Sequence, residues 1–385
     1  MISVKHRKLL SAGTAVLMLT GSMSAQSAAA VPRSFIADAP DADAAAKQVA
    51  AAKNELNRIV TGYWRTCAVL LCDMDGTALY SYRPDLMISG ASLIKLPYAF
   101  YCCEQLEKGV RSLDDTVTYT SAWYHGGAGI IRKNPYGRSY TVRQLLDYAM
   151  RYSDNVAYDM LVYLFGIDGF NEMVREWGYE TRITQYSRFP AVTASFMRTA
   201  MEQVQQHADD SECRRIVWDG LIGSTSGYTR QALGNSVPIA LKYGSIPDCW
   251  HEVCYVGGEH PYILVILSGA VNYSADVSFV KNVAAAANKL AAAHQAEVDA
   301  ALLRGDVNFD RKVSPLDAQL ALAAYTEALS GKDSGLTGLQ LRAADVNGDG
   351  SLTIADAQMI LQYYTEHVLA GKEGGWDAPD SPHAD

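Results

Sequence analysis

The chain has 385 residues, of which 49% are hydrophobic and 19% charged, and its formal net charge is −9. These proportions exclude a disordered chain and a polytopic membrane protein, and the length suits one sizeable domain plus a smaller one. The acidic balance argues against electrostatic nucleic-acid binding, which needs clustered Lys and Arg to displace counterions from phosphates.

Taken in order, Lys5, His6, Arg7 and Lys8 form a basic head, residues 9–20 a short apolar run, and Ser22 to Ala30 a set of small-residue cleavage sites. That is the pattern of a secretory signal over residues 1–30. Ser11, Gly13 and Thr20 break the apolar run, which is shorter than the roughly 20 residues a membrane span needs. No later segment reaches that length, so export is expected to release the protein.

Residues 43–61 form an Ala-rich helical pattern carrying Leu56, Ile59 and Val60. An apolar run at 66–73, the turn signal Asp75-Gly76 and residues 77–82 predict a hairpin. Amphipathic runs at 91–108, 142–151, 154–164 and 193–206 predict a helical middle. His251 to Val256, the Gly257-Gly258 turn and Tyr262 to Ser268 predict a second hairpin, followed by a long Ala-rich helix over 275–303. The expected fold is α/β (α+β): an antiparallel sheet built from strands at both ends of the domain, with a helical region inserted between them. No Gly, Ser or Pro-rich linker separates the last domain, and the boundary falls near Arg304.

Seven cysteines, at 67, 72, 102, 103, 213, 249 and 254, are an odd number, so at least one thiol lacks a disulfide partner. They show no metal-ligand spacing. They read as mostly buried thiols acting as small hydrophobes, which suits a reducing habitat.

An internal repeat follows the boundary. GDVNFDRKVSPLDAQLALAAY, ending at Tyr325, aligns with ADVNGDGSLTIADAQMILQYY, ending at Tyr364. Each copy places hard oxygen donors at calcium-loop spacing. In the first they are Asp306, Asn308, Asp310, the carbonyl of Lys312, Ser314 and Asp317. In the second they are Asp345, Asn347, Asp349, the carbonyl of Ser351, Thr353 and Asp356. N-capping accounts for one acidic residue per helix start, but not for three alternating donors plus position 12. The pair resembles the dockerin family over about residues 304–370, with an acidic tail at 371–385. That resemblance implies a small all-α module with two Ca2+ sites that binds a cohesin, with Pro315-Leu316 and Ile354-Ala355 at the positions that carry partner specificity. Position 6 wants the sharp turn of glycine; Gly350 supplies it and Arg311 does not, so the first site is expected to be weaker.

In the larger domain, Ser92-Leu93-Ile94-Lys95 opens a helix, and the spacing of three puts hydroxyl and amine on one face. Its chemical meaning is a serine nucleophile whose proton is taken by a lysine kept neutral by burial or neighbouring positive charge. Alone, the tetrad reads as a helix cap with a surface charge. Ser153-Asp154-Asn155 and Lys242-Tyr243-Gly244 follow in the order such sites require. With the runs SLIKLP, YTVRQLLDYAMRYSDN and YILVILSG, they make residues 45–297 resemble the class A β-lactamase and penicillin-binding-protein superfamily.

The resemblance implies that Ser92 is acylated and Lys95 is its base partner. It implies that Ser153 carries a proton to the leaving group with help from Lys242, and that Asn155 holds the substrate amide. Lys242 faces the substrate carboxylate, the amides of Ser92 and Ser245 form the oxyanion hole beside Gly244, and Asp154 buttresses its loop.

Two departures stand out. No E-x-x-L-N motif lies between Gly178 and Thr193 to supply the deacylating glutamate; Ser187 falls near its place by offset, and Glu180 is the nearest carboxylate. Deacylation is therefore expected to be slow or to use other groups. Tyr243 stands where Thr or Ser usually supplies a small hydroxyl. Arg230 reads as a solvated surface residue or a carboxylate anchor, Tyr63, Trp64, Tyr101 and Tyr158 as core, and His125 as an unassigned loop residue. The Gly126-Gly127-Ala128-Gly129 run lacks a phosphate-loop context.

The expected function is a secreted serine acyl-enzyme hydrolase acting on β-lactams, D-alanyl peptides or related amides and esters, tethered to an extracellular cohesin scaffold. The competing expectation is a catalytically idle binding module of the same assembly. Identical ligand binding by wild type and Ser92→Ala, without turnover, would separate the two.

Overall fold

Strand runs that are apolar on both faces, such as Cys67–Asp73 and Tyr262–Gly269, need cover on both sides. The fold supplies it. The computed structural model describes residues 42–247, 249–258, 260–269, 273–373 and 376. The expected signal at 1–30 and most of the expected tail lie outside the described residues. Two compact units divide the chain, one spanning residues 39–302 and the other containing everything from Leu303 onward.

The first unit opens with α1 (Ala42–Gly62), β1 (Cys67–Asp73), β2 (Ala78–Tyr82) and β3 (Ile88–Ser89). A 3-10 turn at Ala91–Ile94 runs straight into α2 (Lys95–Glu107). Then come β4 (Thr116–Thr118), β5 (Ser139–Thr141), α3 (Val142–Arg151), α4 (Asn155–Phe165), α5 (Asp168–Glu176), β6 (Ala191–Val192), α6 (Ala194–Gln206), α7 (Glu212–Ile222) and α8 (Tyr228–Leu233). The chain returns to the sheet through β7 (Ile239–Ile246), β8 (Cys249–Val256) and β9 (Tyr262–Gly269), and closes with α9 (Tyr273–Ala301).

The main sheet runs β2-β1-β9-β8-β7 and every pairing is antiparallel. Side chains alternate between its faces. Val69, Leu71, Leu264 and Ile266 join α1 and α9 through Leu56, Val60, Val280 and Leu290. Ala68, Leu70, Val265 and Leu267 join the inserted helices through Phe196, Met197 and Tyr98. Both predicted hairpins are present. The Lys242-Tyr243-Gly244 segment, expected to precede a strand pair, is itself on β7, the edge strand.

All seven cysteines are buried. Tyr101 and Tyr158 belong to the core as expected, and Tyr63 stacks on Phe279 with ring centroids 3.9 Å apart. Trp64 departs from the expectation: it is 78% exposed, with Arg65 lying over its ring.

The second unit contains α10 (Pro315–Leu329), α11 (Gly338–Ala344) and α12 (Ile354–Tyr363) around Val307, Val313, Ala321, Ala344, Val346 and Ile360. Its packing extends past the expected limit at residue 370, because Trp376 stacks on Tyr363 at 4.1 Å. Among the described residues no helix is long and apolar enough to cross a membrane.

Candidate active site

The turn carrying Ser92 is held from three sides. From the sheet, His251 is fully buried and its Nε2 bonds the Ser89 carbonyl at 2.6 Å, while its Nδ1 accepts the Ser268 amide at 3.0 Å. Burial lowers the His251 pKa to about 4, so the ring stays neutral. From the loop before α6, the Pro190 carbonyl accepts the Gly90 amide at 3.0 Å. From the edge strand, Gly244 lies so close that a Cβ there would stand 2.9 Å from the Gly90 carbonyl and 3.1 Å from the Ser92 amide. Only glycine permits that approach, which brings Ser245 to the Ser92 turn. Ala91, just before Ser92, has φ +43, a left-handed conformation that costs a non-glycine residue free energy.

Lys95 begins α2 three residues later and is 1% exposed. Its Nζ donates to the Ser153 carbonyl at 2.5 Å and to Asn155 Oδ1 at 2.6 Å, and stands 3.4 Å from Ser153 Oγ. Burial lowers its pKa to about 7, opposed by the charges of Asp154 and Asp159. Ser153 is fully buried with φ +52. Its hydroxyl accepts from Lys242 Nζ at 2.8 Å, and that amine also donates to the Tyr243 carbonyl at 2.7 Å. Burial first, and then the charge of Lys95, push Lys242 well below the ordinary lysine value. The three sequence motifs therefore converge on one chain of hydrogen bonds, Lys95 to Ser153 to Lys242.

The glycine run proves to be a strap on the first turn of α4. Asn155 Nδ2 donates to the Gly126 carbonyl at 2.7 Å, and the Asn155 amide to that of Ala128 at 3.2 Å. Asp154 caps α4 through the Ala157 amide and accepts the amides of Ile130 and Ile131 at 2.6 and 2.8 Å. A Cβ at Gly129 would fall 2.4 Å from the Asp154 carboxyl and one at Gly127 2.9 Å from Asn155 Nδ2, so these two positions need glycine because the loop lies flat on the start of α4. His125 fastens the far end, with Nδ1 2.5 Å from Asp159 Oδ2. The glycines preceding Ser153-Asp154-Asn155 were the available signal for this strap.

Around the Lys95 amine stand aromatic rings: Phe189 at 5.6 Å and Tyr158 at 5.8 Å. Ser187 and Glu180 are both exposed, and Ser187 is engaged in a turn with Thr184. Tyr243 lies against Trp250, its ring 11° from parallel, with Lys242 Nζ 4.6 Å from the ring centre. Burial raises its phenol pKa against hydrogen bonds to Ser226 and Ser153. Arg230 is neither a solvated residue nor an anchor open to substrate. Its guanidinium donates to the carbonyls of Leu221, Ile222, Ser224 and Ile239 and ties α8 to β7.

The second unit repeats one local geometry twice. Asp306 accepts the amides of Asp310 and Arg311, as Asp345 accepts those of Asp349 and Gly350. Asp317 and Asp356, both fully buried, accept amides at each end of their loops. Their carboxylates are turned onto loop amides, and among the described residues no three His, Cys, Asp or Glu side chains converge on one point. The donor set still fits calcium: every predicted ligand atom is oxygen. The Asp306 carboxyl is raised by burial and by the neighbouring Asp317 and Asp310, a crowding of like charge that a divalent cation relieves. The first loop places Phe309 and Arg311 at φ +60 and +66, where the second uses Gly348 and Gly350.

Residues 51–291 match the family model described as the beta-lactamase enzyme family, and residues 304–364 match the dockerin type I domain. No curated protein matches the chain in sequence. Among solved structures it is similar to a β-lactamase from Sphaerobacter thermophilus, at 17% identity over 66% of this chain and 98% of that one, TM-score 0.56. A β-lactamase from Xanthomonas campestris gives 19% identity, 62% and 97% coverage and TM-score 0.56. A mutant of PBP-A, solved as an acyl-enzyme complex with penicillin G, gives 18%, 62% and 94%, and 0.55. These likenesses establish the fold.

Proposed function

From the premise that the chain belongs to the beta-lactamase enzyme family and carries a dockerin type I domain, we propose a secreted serine acyl-enzyme hydrolase of the β-lactamase and DD-peptidase type. On this reading residues 1–30 are a cleaved signal, residues 45–297 the hydrolase domain, and residues 304–370 the module that tethers it to a cohesin on an extracellular scaffold. The observation that carries the catalytic reading is the buried Lys95–Ser153–Lys242 chain beside Ser92.

Ser92 Oγ attacks the carbonyl carbon of an amide or ester, and its proton passes to the neutral Lys95 amine. The amides of Ser92 and Ser245 hold the oxyanion. As the tetrahedral centre collapses, Ser153 gives its proton to the leaving nitrogen or oxygen and takes one from Lys95, which returns to its neutral form. Lys242 holds the Ser153 hydroxyl in line, and Asn155 orients the substrate amide. Water then attacks the acyl-serine ester and releases the acid. Tyr158 and Phe189 occupy the ground beside Lys95 without offering a carboxylate to activate that water, so deacylation is the slow step.

In the dockerin, Asp306, Asn308, Asp310, Lys312, Ser314 and Asp317 would hold one calcium, and Asp345, Asn347, Asp349, Ser351, Thr353 and Asp356 the other. Bound calcium supplies the positive charge that lets each loop bury its carboxylates.

Mass-spectrometric mapping after treatment with a fluorophosphonate tests the nucleophile. Wild type is expected to carry one adduct on Ser92 and Ser92→Ala none, with hydrolysis of any turned-over ester falling about 10³-fold or more in that variant. A wild type without label at Ser92 would sink the enzymatic reading in favour of an idle binding module.

A further inference from the structure

Hydrolysis of an ester on Ser92 needs a group that takes a proton from water. Asp154 is committed to the amides of Ile130, Ile131 and Ala157. An imidazole on the strap has no such commitment. His125 Nδ1 stands 2.5 Å from Asp159 Oδ2, and a carboxylate on Nδ1 fixes the tautomer that leaves the Nε2 lone pair free. Among the described residues Nε2 has no protein partner, and the side chain keeps 37% of its surface exposed. A free ring nitrogen backed by an orienting carboxylate is the arrangement of a general base.

Two chains of contact tie this imidazole to the reacting groups. Through the strap, the carbonyl of the next residue, Gly126, accepts Asn155 Nδ2 at 2.7 Å, and Asn155 Oδ1 accepts Lys95 Nζ at 2.6 Å. Through the aromatic rings, Phe189 meets His125 edge-on with centroids 5.8 Å apart, and its ring centre is 5.6 Å from Lys95 Nζ. The His125–Asp159 pair therefore borders the site beside Asn155, one aromatic ring away from Lys95.

We infer that His125, oriented by Asp159, is the base that activates water for hydrolysis of the acyl-enzyme. This deepens the acyl-enzyme reading of Ser92 and rests on it. The water oxygen bonds to the acyl carbon as its proton goes to His125 Nε2. The bond from that carbon to Ser92 Oγ then breaks, and Oγ takes the Ser153 proton. The proton on His125 returns to Ser153 through solvent, so the net products are the acid and the free serine. Because Lys95 and Ser153 carry out acylation, loss of His125 strikes the second half of the reaction and spares the first.

The full chain, treated with p-nitrophenyl acetate and freed of excess ester, can be followed by peptide mass spectrometry for acetyl on Ser92. His125→Asn, whose carboxamide can still bond Asp159, should hold that acetyl group about a hundredfold longer than wild type. Its labelling by fluorophosphonate should stay close to the wild-type rate. Asp159→Asn should lengthen the adduct lifetime at least about tenfold, since the ring loses its orienting carboxylate. An unchanged lifetime in Asp159→Asn overturns the part given to Asp159. Equal lifetimes in wild type and His125→Asn overturn the inference and leave the acyl-enzyme reading standing. So does fluorophosphonate labelling of His125→Asn that slows as much as its deacylation, because that outcome is loss of the strap alone. Fluorophosphonate on Ser92 without an acetyl adduct in either protein overturns the inference as well. Neither reagent on Ser92 overturns the acyl-enzyme reading and this inference with it.

Discussion

Lys95, the proposed base, illustrates how burial can fit a common side chain for that role. An exposed lysine is protonated at neutral pH, but one enclosed by Tyr158, Phe189 and the Ser153 loop is held near the neutral form, with a pKa of about 7. The base must be unprotonated, so labelling of Ser92 by fluorophosphonate is expected to rise with pH through about 7 and level above it. A rise continuing towards the ordinary lysine value of 10.5 would show an exposed amine instead. Lys95→Met should lower the plateau about 10²- to 10⁴-fold, the range of general-base catalysis. The unfolded chain binds more protons than the folded one between about 7 and 10.5. Stability from this residue therefore rises with pH across that window. Lys95→Met should flatten that rise.

At the scale of elements, the position of Ser92, the proposed nucleophile, depends on contacts between segments distant in sequence. His251 joins β8, β9 and the end of β3 by two hydrogen bonds from one neutral ring. His251→Leu leaves the part-buried Ser89 carbonyl and the buried Ser268 amide without this partner, at about 1–3 kcal/mol for the buried amide, and denaturant titration at pH 7 should show that loss. The folded pKa of His251 is depressed to about 4 from 6.5, so the unfolded state binds more protons between these values. Wild type should lose stability as pH falls through that window, and the same titration of His251→Leu should lack this component. The proposed calcium loops carry a separate prediction. Phe309 and Arg311 adopt left-handed conformations that cost a side-chain-bearing residue about 1–2 kcal/mol each. Arg311→Gly is expected to tighten the weaker of two calcium-binding events about five- to thirtyfold in calorimetry. An unchanged isotherm would place the weakness elsewhere in the loop.

Across the whole molecule, legibility followed the range of the interactions. The repeats, both sheet hairpins and the long helices were readable because Asp-x-Asn-x-Asp spacing, the Asp75-Gly76 and Gly257-Gly258 turns and Ala-rich runs are local signals. The order of the Ser92, Ser153 and Lys242 motifs was equally plain. Trp64 and Arg230 were misjudged because exposure and hydrogen-bond partners belong to the packed chain. His125 and the glycine run stayed unassigned because their meaning lies in α4, about thirty residues away.

The order of the motifs and the oxygen spacing of the loops were legible in the sequence alone, since both are statements about which residue types follow which along the chain. Tertiary structure alone decided which charges remain available. Lys95, Lys242 and Arg230 look alike as letters, and only packing determines that the two lysines are buried and bonded to Ser153 and that the arginine is bound to carbonyls. Burial and solvation depend on every neighbour at once, and a linear pattern does not encode them.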